Sequence, residues 1–300
     1  MSLPSNVTLY EVGPRDGLQN ETGEIDTKTK IEFIDRLSQT GLKYIEATAF
    51  VSPKWVPQMA DHADVMAGIN KVPAVRYPVL VPNLQGLKAA IESGVQDIAV
   101  FGAASETFSQ KNINAGIEES LKRFDDVVSR ARKEKMRVRG YVSCVAGCPY
   151  EGDVPPANVS HVVNALSDMG CYEISLGDTT GVGTPNVIAA VLDEVTNTIP
   201  VHKLALHCHD TYGMAVANIY EALQHGIATI DASVGGLGGC PYAPGAAGNV
   251  ATEDVLYLLK GLGIETGVDL DKMVETAKYI SAVLGRDPNS KSARAILAKQ

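Results

Sequence analysis

The stretch Leu204-Ala205-Leu206-His207-Cys208-His209-Asp210 starts as an apolar run of strand character and ends in two histidines spaced i, i+2. Alternate side chains of a β-strand share a face, so His207 and His209 project together from one strand end. Two imidazoles held side by side are a common way to bind a divalent metal. A polar strand end whose histidines only meet backbone or water gives the same pattern, so the pair needs further ligands to mean more. Asp16 supplies a hard oxygen and Asn249 a neutral one. That set leaves open positions for substrate and water and suits Mg²⁺ or Mn²⁺. Arg15, next to Asp16, keeps its charge and suits an oxyanion or enolate developing on a carbonyl; the plainer alternative is a salt bridge. Asp178 reads as a proton-transfer group or as the cap of the turn into Gly181-Val182-Gly183-Thr184-Pro185. Glu46 reads as a partner of Arg15 or of a metal-bound water, or as a purely structural carboxylate. Asp210 is a conceivable support for a histidine, but strand alternation sends it to the other face. Cys240 follows the run Gly235-Gly236-Leu237-Gly238-Gly239 and precedes Pro241. A thiol on such a loop can deliver or accept a proton once substrate closes it. Cys144, Cys148, Cys171 and Cys208 are expected to be buried small hydrophobes.

Positioning these groups requires strands whose ends converge. Apolar strand patterns recur about every 30 residues, alternating with amphipathic helical stretches. The strands expected are Val7 to Val12, Tyr44 to Phe50, Tyr77 to Val81, Asp97 to Phe101, Arg137 to Cys144, Glu173 to Leu176, Leu204 to His209 and Thr229 to Val234. The strong helices are Thr29 to Gln39, Ile117 to Lys135, Val159 to Met169, Asn186 to Thr196, Ala215 to Gln224 and Thr252 to Leu259. Similar phrases hand each helix to the next strand, at Gly41, Gly94, Gly170 and Gly226, where glycine stops the helix. Eight such units predict a single (β/α)₈ TIM barrel over about residues 7–262, with the polar groups above at its C-terminal face. A doubly wound open sheet is the alternative, but no Gly-x-Gly-x-x-Gly follows the first strand. Leu270 to Leu284 and the polar tail to Gln300 form a helical extension, about 268–300, expected to pack on the barrel or cover part of its mouth. The whole chain, 1–300, is expected to be one catalytic domain.

With 45% hydrophobic and 20% charged residues, the composition is that of an ordinary globular protein. A net charge of −9 argues against a general nucleic-acid binder, and no apolar run approaches membrane-spanning length. Met1 to Asn6 lacks the basic and apolar regions of a signal peptide, and five cysteines read as reduced thiols. The expectation is a cytoplasmic protein, or an organellar one with its leader removed.

At the chemistry-bearing residues the chain resembles the 3-hydroxy-3-methylglutaryl-CoA lyases. The resemblance is carried by Gly13-Pro14-Arg15-Asp16-Gly17-Leu18-Gln19-Asn20-Glu21, by His207-Cys208-His209-Asp210-Thr211-Tyr212-Gly213 and by Gly235 to Ala243 around Cys240. It runs from about Val7 to Leu284 and includes Phe50 to Met59, Gly140 to Tyr150 and Ser175 to Gly183. Isopropylmalate and homocitrate synthases share the Arg-Asp-Gly and His-x-His elements, but the Gly17-Leu18-Gln19 version and the Cys240 loop favour the lyase. The resemblance implies metal ligands at Asp16, His207, His209 and Asn249, with Mg²⁺ or Mn²⁺ as cofactor. It implies catalytic roles for Arg15, Glu46, Asp178, His207 and Cys240, and substrate contacts at Arg15 and Gln19. The implied reaction cleaves 3-hydroxy-3-methylglutaryl-CoA to acetoacetate and acetyl-CoA, in leucine breakdown, by a homodimer acting on an acyl-CoA, without nucleic acid or membrane. The base is open among His207, Asp16 and Asp178. A Claisen-type synthase joining acetyl-CoA to a 2-oxo acid, a lyase for a related 3-hydroxy-acyl-CoA and a barrel that only binds are the alternatives.

Overall fold

The computed structural model describes residues 3–21, 23–239 and 248–300. Among these residues the strands are β1 (Thr8–Glu11), β2 (Tyr44–Ile45), β3 (Thr48–Ala49), β4 (Val79–Leu80), β5 (Asp97–Ala103), β6 (Arg137–Ser143), β7 (Ile174–Asp178), β8 (Leu204–Cys208) and β9 (Thr229–Ala232). They form one parallel sheet in the order β2-β1-β9-β8-β7-β6-β5-β4-β3. β2 and β3 are the two halves of the strand expected at Tyr44 to Phe50. The first half pairs with β1 and the second with β4. Between them Glu46 N–H donates to Glu11 O at 2.8 Å and Ala47 N–H to Pro78 O at 2.9 Å. The segment is therefore bonded on both sides and closes the sheet into a barrel. It is split because the chain opposite presents Pro78, which has no N–H to return to the ladder.

Helices surround the barrel: α1 (Thr27–Ser38), α2 (His62–Gly68), α3 (Leu84–Glu92), α4 (Glu106–Ile113), α5 (Ile117–Lys133), α6 (Pro156–Met169), α7 (Pro185–Val195), α8 (Ala215–Gln224), α9 (Thr252–Gly261), α10 (Leu270–Val283) and α11 (Lys291–Leu297). The apolar stripe expected on α5 is the buried one, with Leu121, Phe124, Val127 and Val128 facing the core. α2, α3 and α4 are too short to show a clear period and escape the sequence reading. The glycines at the hand-over points, Gly41, Gly94, Gly170 and Gly226, all take positive φ. At Gly41 a Cβ would also lie 2.2 Å from Gly267 O, so no other residue fits.

α10 packs against α1, α9 and the turn Val234–Gly236, and α11 packs against α9 and α10. Asn289 N–H donates to Gly235 O at 2.9 Å, which ties the extension to the base of the glycine-rich loop.

Candidate active site

After β1 the segment Gly13–Gly17 makes one wide helical turn around the Val12 carbonyl, which accepts from the N–H groups of Arg15, Asp16 and Gly17 at 3.2, 2.8 and 3.1 Å. The turn sets Arg15 and Asp16 side by side at the strand end. A Cβ on Gly17 would meet Leu237 Cβ and Ser233 Oγ, each at 2.8 Å, so glycine is what lets the turn press against the segment after β9. Beneath it, fully buried Glu11 accepts from Gly13 N–H at 2.8 Å, Val234 N–H at 2.9 Å and the Thr252 hydroxyl at 2.6 Å. Glu253 accepts from Gly235 N–H at 2.9 Å. Burial pushes Glu11 up to about 7 and Glu253 up to about 8, although their hydrogen bonds pull the other way. These two carboxylates brace the strand ends of β1 and β9, and the sequence reading missed both.

Asp16, His207 and His209 converge, each offering a ligand atom within 4.8 Å of the others. Asp16 Oδ2 lies 3.9 Å from His209 Nε2. Burial would raise the Asp16 carboxyl, but Arg15 and the two histidines hold it well below the usual carboxylate range. Burial, reinforced by His207, holds His209 down to about 4, so its imidazole is neutral and its lone pair available. His209 Nδ1 is buried without a hydrogen-bond partner among the described residues. One anionic carboxylate and two imidazoles within reach of one another fit a divalent cation. Asn249 stands beside them, its Nδ2 donating to Asp16 Oδ2 at 2.8 Å and to Leu237 O at 3.1 Å.

Arg15 is buried and held from two sides: Nη1 donates to Asp16 Oδ1 at 2.6 Å and Nε to Glu46 Oε2 at 2.7 Å. Glu46 is wholly buried, and burial raises it although Arg15 opposes this. Of the readings of Glu46, the structure shows the contact with Arg15. Both the Glu46 Oε1 and the Gln19 Oε1 are buried and unpartnered among the described residues. Arg15, Asp16, Gln19, His207 and His209 all line one cleft of about 1170 Å³ at the C-terminal ends of the strands.

His207 leads to residues that the sequence reading did not single out. Its Nδ1 is 3.4 Å from Asp231 Oδ2 on β9. Asp231 in turn accepts from Arg139 Nη2 at 2.7 Å, Arg139 Nη1 at 3.0 Å and the Ser175 hydroxyl at 2.7 Å. Burial opposes its ionisation, but Arg139 and His207 hold Asp231 down to about 2. Such a carboxylate fixes the orientation of a histidine beside it. The available signal was a charged residue in the interior of each of two strands, Arg139 in β6 and Asp231 in β9.

Other expected residues are placed apart from the cleft. Gly177 and Thr179 line it, and Asp178 between them turns away, accepting from Gly183 N–H at 3.0 Å. This is the turn-capping geometry, and burial pushes Asp178 up to about 6. Its Oδ1 is buried without a partner among the described residues. Asp210 accepts from Ala215 N–H at 3.1 Å at the start of α8 and faces Lys291. Cys144, Cys148, Cys171 and Cys208 are buried, as expected. Cys240 lies outside the described residues.

Fold and site together define the class: a TIM-barrel enzyme with a candidate divalent-metal centre at the C-terminal face of its strands. The model of the HMGL-like family matches residues 6–280. A mitochondrial hydroxymethylglutaryl-CoA lyase of Gallus gallus is 59% identical over 294 residues, covering 98% of this chain and 99% of that protein. A cytoplasmic 3-hydroxy-3-methylglutaryl-CoA lyase of Rattus norvegicus is 60% identical over 293 residues, covering 98% of this chain and 85% of the other. The crystal structure of hydroxymethylglutaryl-CoA lyase from Pseudomonas aeruginosa superposes with a TM-score of 0.98 at 58% identity, covering 100% of both chains. The chain belongs to the HMGL-like family and is similar throughout to its hydroxymethylglutaryl-CoA lyases.

Proposed function

We infer that this protein cleaves 3-hydroxy-3-methylglutaryl-CoA to acetoacetate and acetyl-CoA. The observation that carries the reading is the convergence of Asp16, His207 and His209 beside a doubly anchored Arg15 in one cleft, in a chain of this family. Asp16, His207 and His209 would hold Mg²⁺ or Mn²⁺, with Asn249 as the neighbouring amide. The cation supplies Lewis acidity toward the substrate's tertiary hydroxyl and the carboxylate near it.

The chain's own residues do the rest. The hydroxyl proton goes to a base at the strand ends, among His207, Asp16 and Asp178, with Asp231 orienting His207. Loss of that proton drives the carbon–carbon bond to break, which leaves an enolate on the departing thioester. Arg15 has Nε and Nη1 committed to Glu46 and Asp16, so its remaining edge, Nη2, is presented to the enolate oxygen without reorganisation. Gln19, with a free acceptor in the cleft wall, orients the acyl group. Cys240, next in sequence to the cleft residue Gly239, donates the proton that turns the enolate into acetyl-CoA. Asp178 also holds the turn at the end of β7. Lys111 and Arg123, the cations that line the cleft beside Arg15, are the groups for the CoA phosphates.

No helix among the described residues is long and apolar enough to cross a membrane. Relatives are named both mitochondrial and cytoplasmic; five cysteines, an odd count, suit a reducing compartment, and we propose the cytoplasm. We also propose that the whole chain works as one catalytic domain and pairs as a homodimer, to be read from its mass in solution. The deciding experiment strips the protein of metal and offers 3-hydroxy-3-methylglutaryl-CoA with Mg²⁺, Mn²⁺ or EDTA. Acetoacetate released only with metal is the expected result. No product with either metal, together with free CoA released from acetyl-CoA and a 2-oxo acid, would replace the lyase by the synthase.

A further inference from the structure

The chain contains one tryptophan, Trp55, and it is 87% exposed on the rim of the catalytic cleft. An apolar surface of this size in water is costly unless something covers it, and indoles gather where a partner binds. The turn that carries it is not free to fold the ring away. Trp55 and Val56 N–H groups both donate to Ser52 O, at 2.9 and 3.1 Å. Gln58 donates to Gly23 O at 3.1 Å and accepts from Ile25 N–H at 3.2 Å. Buried Lys30 donates to Gln58 O and, at 2.8 Å, to Asp61, whose other oxygen accepts from the Thr27 hydroxyl at 2.8 Å. Lys30, Gln58, Asp61 and Thr27 thus bolt the turn to α1 and to the segment before it, and the indole stands exposed on that fixed turn.

Lys111 and Arg123 line the same cleft, and Lys54 precedes the tryptophan. A flat aromatic ring and cations lining one cleft are what a nucleotide needs: cations take the phosphates and the ring takes the base. Pantetheine has no planar π-system to stack, whereas adenine has. We propose that Trp55 is the stacking platform for the adenine ring of the acyl-CoA substrate. The proposal rests on the acyl-CoA reading above and adds the residue that recognises the far end of that substrate.

Because Trp55 is the sole tryptophan, the intrinsic indole fluorescence of the whole, Mg²⁺-loaded protein reports this residue alone. CoA and adenosine 3′,5′-bisphosphate are expected to quench it in a saturable way, and pantetheine to leave it unchanged. Steady-state kinetics give the second readout. Trp55→Ala is expected to raise KM for the acyl-CoA about ten-fold with kcat within two-fold, and Trp55→Phe to restore most of the KM, since base–aromatic stacking is worth about 1–3 kcal/mol. Quenching by pantetheine but not by the bisphosphate would overturn the adenine assignment. No quenching by CoA, or a Trp55→Ala variant whose kcat falls with KM unchanged, would overturn the platform altogether. Fluorescence quenching in a protein that releases no acetoacetate would leave Trp55 as a CoA contact and remove the lyase reading instead, so the two failures are separable.

Discussion

Two groups of buried charge share the inside of this barrel, one at mid-strand and one at the strand ends. At mid-strand Arg139 is saturated: Nε donates to Glu173 at 2.8 Å, both terminal nitrogens reach Asp231, and the guanidinium lies 3.9 Å from the Tyr10 ring centroid. At the strand ends Arg15, Glu46, Asp16 and the two histidines also lie close together, yet Glu46 Oε1, Gln19 Oε1, His207 Nδ1 and His209 Nδ1 make no hydrogen bond among the described residues. Buried charge in which each charged group is partnered is scaffolding. Charge buried with atoms to spare, facing a cleft, is waiting for a ligand. Asp231 belongs to the first group and supports His207 of the second, which is how the scaffold holds the site in place.

The difference can be broken experimentally, and the largest effect should come from the saturated layer. Arg139→Met leaves Asp231 ionised and uncompensated in the core, which is expected to cost about 3–5 kcal/mol in denaturant unfolding. Pairing it with Asp231→Leu should recover much of that stability; a single variant as stable as the parent would show that the mid-strand pair is not scaffolding. Next in size, Arg15→Gln should lower kcat about 10²–10³-fold, as the loss of a preorganised oxyanion donor does. Its affinity for Mn²⁺, measured by calorimetry, should stay within a few-fold, and near-normal turnover would remove Arg15 from the chemistry.

A smaller effect concerns the brace beneath the site. The Glu11 carboxyl is raised from 4.5 to about 7, so the folded protein keeps a proton that the unfolded chain has already released. The stability this adds is fully present below pH 4.5 and is lost as pH rises through 7, at roughly 1.4 kcal/mol per pH unit in that window. Glu11→Gln should flatten this part of the stability-against-pH curve, leaving the part due to Glu253. An unchanged slope would mean that Glu11 is ionised in the fold throughout. Smallest of all, Asp210→Ala removes the acceptor at the start of α8 and should cost about 1 kcal/mol with kcat within two-fold. A large fall in kcat would make Asp210 a support of the neighbouring histidine after all.

Much of this was legible from the chain itself. The period of the apolar runs located the strands because parallel strands buried on both faces must be apolar. The glycine hand-overs located the helix ends because a left-handed residue is cheapest there. The i, i+2 histidines converged because side-chain alternation in a strand is a local property of the backbone. Asp210 and Cys208 turned away for the same reason.

What the tertiary structure alone decided concerns partners distant in sequence. Glu46 meets Arg15 across 31 positions and Asp231 meets Arg139 across 92. Glu11 reaches Thr252 across 241. No local pattern encodes such distances, because barrel closure brings the two ends of the sheet together only after the whole chain is wound. The sequence could name Asp178 as an acid or a cap, and the position of Gly183 N–H shows the cap. It could count one tryptophan, and only the bolted turn after β3 shows that the ring stands open at the mouth of the cleft. Residue type and spacing thus determined which groups reach the strand ends, since those follow from backbone periodicity. Packing decided which of them are satisfied and which are left for a ligand, since that depends on every neighbour the fold supplies.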